Sequence, residues 1–114
     1  MPTVFVIAHD WQLRANVRSE LREQGVAALG MERVADAAQA VATGTMPDAV
    51  VLDCAADDAD SAVLAQLARG VPLVLVASHT LPVPSLPAAA VLWRPVRVAE
   101  VVAAVNQVLK GLAA

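Results

Sequence analysis

A chain of 114 residues that is 58% hydrophobic and 17% charged has apolar material for one core and is too apolar for a disordered segment. A formal net charge of −3, a pI near 5.1 and an aromatic content of 3% with no Tyr argue against a basic, base-stacking nucleic-acid surface. The single cysteine, Cys54, forms neither an internal disulfide nor a cysteine metal cage, and the start lacks a basic leader, so a cytoplasmic setting is expected; the apolar runs fall far short of the ~18 residues of a membrane helix.

Val4 to Ala8 is a short, continuously apolar run that predicts a buried strand. Asp10 follows as a helix cap, and Leu13, Val17 and Leu21 recur every four residues on one helix face, which Gly25 terminates. Val26 to Met31 reads as a weaker strand, interrupted by Gly30. Val34 to Thr43 reads as an alanine-rich helix with Val34, Ala38 and Val41 turned inward, stopped by Gly44. Pro47 then leads into a third strand, Ala49 to Asp53. Asp60 or Ser61 caps a helix with Val63, Leu64 and Leu67 on its buried side, and Gly70 ends it. Leu73 to Ala77 and Ala90 to Trp93 are the fourth and fifth strands. Val98, Val101, Val102, Val105 and Leu109 mark a last helix, expected to fray at Gly111.

Strands without polar alternation are covered on both faces, so the alternating pattern predicts a parallel sheet sandwiched between helices, in one domain spanning 1–114. The rhythm breaks in "SHTLPVPSLPAAAV". Pro82, Pro84 and Pro87 exclude a regular fourth crossover helix, because each interior proline costs ~3 kcal/mol; a proline-rich loop with at most one turn near Ser85 to Ala89 is expected.

Right-handed crossovers place all strand carboxyl ends on one edge, where such folds bind ligands. His9, Asp10, Asp53, Ser78, His79 and Arg94 gather there. Two carboxylates suit Mg²⁺, and a hydroxyl with a guanidinium suits a phosphoryl group.

The segments "VFVIAHD", "PDAVVLD", "PLVLVAS" and "LWRP" give the chain, over almost its whole length, a resemblance to the receiver domains of bacterial two-component response regulators, the CheY-like superfamily. The resemblance implies a flavodoxin-like (βα)₅ fold with strand order 2-1-3-4-5. It implies a candidate phosphoacceptor in Asp53 and a Mg²⁺ ligand set of Asp10, Asp53 and the backbone carbonyl of Ala55. It also implies a phosphate-facing hydroxyl in Ser78 and a lysine role for Arg94. The implied partners are a histidine kinase or another signalling protein, with a homodimer among the expectations and no direct contact with nucleic acid or membrane.

The departures from the pattern are specific. His9 stands where the first acid of a pair is expected, and a neutral nitrogen weakens Mg²⁺ binding. Arg94 replaces the lysine, Val91 falls at or near the aromatic switch position, and "CAADDADS" replaces a Pro-Gly segment. These point to an atypical receiver or pseudo-receiver, with weak or absent phosphorylation of Asp53, acting through protein–protein contacts and not as an enzyme. The alternative is a constitutive dimerisation or interaction module that does not switch.

Blander roles stand beside the sharp ones. Asp10 serves as a helix cap whether or not it meets a metal, and Asp53 is a phosphoacceptor, a solvated remnant of ancestry or an acid with a conformational role. His9 is expected to pair with Asp53. Asp57 and Asp58 either lean in to replace the missing acid or lie in a solvated loop. Trp11 and Trp93 are expected to pack, Cys54 to sit as a small apolar residue, and His79 to belong to a loop.

Overall fold

Strands apolar along their whole length need cover on both faces, and the chain supplies it. The computed structural model describes residues 1–56, 58–59 and 62–113, residue 113 by its backbone alone. The elements are β1 (Thr3–Ile7), α1 (Trp11–Glu23), β2 (Ala27–Met31), α2 (Val34–Ala42), β3 (Ala49–Asp53), α3 (Ala62–Leu67), β4 (Leu73–Ala77), β5 (Ala90–Trp93) and α4 (Val98–Ala113). All strand pairs are parallel, in the order β2-β1-β3-β4-β5, which is the flavodoxin-like arrangement.

Alternate residues of each strand feed two cores. Val4, Val6, Val51, Val74 and Val76 meet Leu13, Val17 and Leu21 of α1 and Val101, Val102 and Val105 of α4 on one face. Phe5, Ile7, Val50, Leu52, Leu73 and Leu75 meet Val34 and Ala37 of α2 and Leu64 and Leu67 of α3 on the other. Every residue of β3 and β4 is buried, as a central strand with two covered faces requires.

The element order matches the sequence reading, with small shifts: β2 starts at Ala27 rather than Val26, and α2 ends at Ala42 rather than Thr43. β1 runs one residue earlier than expected. In α2 the buried alanine is Ala37, not Ala38, because the stripe follows Val34 by three residues. The last helix does not fray at Gly111 but continues to Ala113. An isolated glycine lowers helix propensity by about 1 kcal/mol, and the packed upstream face outweighs that cost.

The two edges are handled differently. At β2, Arg22 of α1 donates through Nε to the Ala28 carbonyl at 3.0 Å, so a side chain satisfies an edge-strand group. Gly30 makes room for the stems of Arg14 and Arg18; a Cβ there would lie 3.1 Å from Cγ of Arg14. At β5 the connection from β4 is an irregular loop, as its prolines dictate. It buries Pro84 and packs Leu86 and Ala88 on the core. It leaves Val91 and Trp93 exposed on the face opposite Ala90 and Leu92. Among the described residues no helix is long and apolar enough to cross a membrane.

Candidate functional site at the carboxyl ends of the strands

The parallel sheet brings the tips of β1, β3, β4 and β5 to one edge, and Asp53 sits at its centre. Its residue is 1% exposed, the one buried charged residue among those described. A carboxylate there needs partners for both oxygens. Oδ1 accepts the Ala55 N–H at 3.0 Å, and Oδ2 accepts a short hydrogen bond from the Arg94 guanidinium, which also forms an ion pair with it. Arg94 is placed by the end of β5, where its own N–H donates to the Ala77 carbonyl at 2.8 Å. The strand pairing thus delivers guanidinium and carboxylate to the same point.

The other predicted residues lie nearby but are committed elsewhere. Asp10 turns its Oδ1 onto the N–H groups of Gln12 and Leu13, at 3.0 and 3.3 Å, and caps α1. His9 was expected to pair with Asp53; it pairs instead with Glu32 beyond β2, at 3.4 Å between Nδ1 and Oε1, with both side chains exposed. Ser78 Oγ lies 2.9 Å from Thr80 Oγ1 and accepts the Thr80 N–H at 3.3 Å, so this hydroxyl closes its own loop. Ala55 is exposed and contributes its N–H to Asp53.

Around this edge three features depart from the sequence expectations. Asp58 does not lean toward Asp53: its carboxylate accepts the N–H groups of Val34 and Ala35, at 2.8 and 2.9 Å, and caps α2 from across the site. Trp11 and Trp93 are 67% and 45% exposed rather than packed, since the helix that would cover Trp93 is absent and Trp11 opens α1 on its solvent side. His79 is more than a loop residue: its ring stacks on Trp93, with centroids 4.5 Å apart and planes within 8°. Cys54 is buried, as expected. Asp57, and Asp60 and Ser61 as caps of α3, lie outside the described residues.

Sequence reasoning missed two positioning groups. Arg14 donates from Nη1 to the Ala8 carbonyl at 2.6 Å and brings a second guanidinium to the tip of β1. Asp58 could have been suspected from α2 itself, whose N-cap residue is Arg33, a side chain with no acceptor for the orphan N–H groups.

A divalent ion fits this arrangement poorly. Among the described residues no three His, Cys, Asp or Glu side chains converge as a ligand set. Asp53 gives both of its oxygens, and Asp10 one of its two, to N–H donors, and two guanidiniums already supply positive charge to the edge.

No family model matches the chain, and no curated protein matches it in sequence. Solved structures match it in fold. One is the N-terminal domain of a response regulator/sensory box/GGDEF three-domain protein from Carboxydothermus hydrogenoformans, 16% identical, with a TM-score of 0.77 over 97% of this chain and 96% of that one. Another is the signal receiver domain of a signal transduction histidine kinase from Syntrophus aciditrophicus, 17% identical, with a TM-score of 0.78 over 97% and 92%. A third is a response regulator receiver protein from Burkholderia phymatum, 21% identical, with a TM-score of 0.72 over 96% of each chain. The chain therefore has the receiver fold.

Proposed function

We propose that this chain is a receiver-type signal-transduction domain that transmits through protein–protein contacts and takes little or no phosphoryl group on Asp53. The receiver fold and the aspartate at the tip of β3 support the first half of the reading. The observation that carries the second is the engagement of both Asp53 oxygens, one by the Ala55 N–H and one by the Arg94 guanidinium.

A nucleophilic carboxylate needs a free oxygen and a cation that neutralises the incoming phosphoryl group without covering that oxygen. Arg94 supplies the charge but sits on the oxygen. Its planar fork matches a carboxylate far better than a lysine point charge does, so it is harder to displace. With His9 turned to Glu32 and Asp10 turned to α1, Mg²⁺ has no strong claim on the edge. A histidine kinase or another signalling protein remains the expected class of partner.

Trp11 is exposed and follows Asp10, so its emission reports on the edge. The test is a titration of the protein with Mg²⁺, with and without beryllofluoride. The natural sequence is expected to give a flat response. The double variant His9→Asp/Arg94→Lys is expected to give a saturable one, which adding Asp53→Asn removes. A saturable response of the natural sequence that Asp53→Asn abolishes would overturn the proposal.

A further inference from the structure

α2 and α3 cover the same face of the sheet, and α3 is only six residues long. Where the two helices meet, Ala38 and Ala42 of α2 offer single methyl groups, too small to fill the space between them. A groove of about 240 Å³ remains, lined by Ala38, Val41 and Ala42 of α2, Val63 and Leu67 of α3, and Met46 of the loop before β3. Leu67 is the buried member of that lining, whereas Met46 is 60% exposed, and its unbranched thioether adapts to whatever it covers. Two polar side chains complete the lining, Gln66 and Arg69, and no carboxylate does.

From this groove we infer that the chain binds a small amphipathic carboxylate, a short saturated chain lying between α2 and α3 with its carboxylate on Arg69. Volume sets the tail. The groove falls below the ~300 Å³ at which pockets for drug-sized ligands begin. At the ~30 Å³ that a water occupies in the liquid, and a methylene is about as large, it holds roughly eight methylene groups. Charge selects the head. Among the described residues the ion pairs made by arginine are Arg33–Asp36 and Arg94–Asp53, so the exposed Arg69 guanidinium is in neither and is available to a carboxylate, which its fork of N–H donors fits. The neighbouring helix ends do not oppose an anion. The carbonyls of Gln39, Ala40 and Val41 accept the N–H groups of Thr43, Thr45 and Gly44, and those of Leu64 and Gln66 accept the N–H groups of Ala68 and Arg69. Asp48, two residues past Met46, gives Oδ2 to the Thr3 N–H at 2.7 Å.

The lining comes from the C-terminal halves of α2 and α3 and from the turns that lead into β3 and β4. The groove therefore lies toward the amino ends of the strands, away from Asp53, and the inference is independent of the reading of that residue. The test is calorimetric titration of the full chain with hexanoate, octanoate and decanoate, and with octylamine and 1-octanol to separate charge from tail. Saturable binding of the carboxylates is expected, with a dissociation constant that falls about fourfold for each added methylene until the groove is full. Octylamine is expected to bind about tenfold more weakly than octanoate. Arg69→Gln, at an exposed site, should weaken octanoate about threefold to fivefold and leave 1-octanol unchanged, and Arg69→Glu should make octylamine the tighter ligand. Ala42→Leu, also at an exposed site, narrows the groove and should weaken octanoate and 1-octanol alike, with circular dichroism confirming that each variant folds. No saturable binding of decanoate, or binding indifferent to chain length or to Arg69, would overturn the inference. So would binding of phosphatidylglycerol vesicles without binding of octanoate, since the anion recognised would then belong to a membrane.

Discussion

Asp53 and Arg94 form a pair whose members are unequal. The carboxylate is 2% exposed by side chain and the guanidinium 33%, so losing the cation strands a buried charge, whereas losing the anion leaves a cation that water can reach. Arg94→Met is therefore expected to destabilise the fold by about 2 kcal/mol, below the ~3–5 typical of a fully buried pair because water screens the more exposed partner. Asp53→Asn is expected to cost less than about 1 kcal/mol, since the amide oxygen still accepts the Ala55 N–H. Combining the two should recover most of what Arg94→Met loses. Urea unfolding midpoints of the three variants measure this directly; equal losses for both single variants would show that the burial argument fails. The identity of these two residues was legible in the sequence, because strand tips and a parallel sheet fix their meeting place. The direction of the smaller groups was not. Whether His9 faces Asp53 or Glu32 depends on one side-chain rotation at an exposed tip, which no periodicity encodes.

At the level of elements, periodicity located every strand and helix, because continuous apolar runs and four-residue repeats are direct imprints of two-sided and one-sided burial. Capping across the fold was not visible in that way. α2 begins after Arg33, which offers its orphan N–H groups no acceptor; Asp36 reaches back to the Arg33 N–H at 3.2 Å, and Asp58 takes Val34 and Ala35. Asp58 thereby ties the loop after Asp53 to the start of α2. Asp58→Ala is expected to lower stability by about 1 kcal/mol and Asp58→Asn by less, the ordinary range for an N-cap. Thermal melting reads this as a fall of a few degrees, with faster amide exchange at Val34 and Ala35 as the local signature. No change at those two amides would mean the cap contributes nothing.

For the molecule as a whole, the missing fourth helix makes the sheet asymmetric. β3 and β4 are buried on both faces and paired on both sides. β2 is an edge strand, but Arg22 takes the Ala28 carbonyl and arginine stems lie across Gly30. β5 is an edge of four residues with one face open, so it should be the first strand to detach. The amides that β5 gives to β4 are expected to exchange about tenfold or more faster than those of β3. That corresponds to an opening free energy lower by about 1.4 kcal/mol. β2 should fall between the two. If β5 exchanged as slowly as β3, the loop would be a full substitute for the helix, and the exposed face would cost the fold nothing.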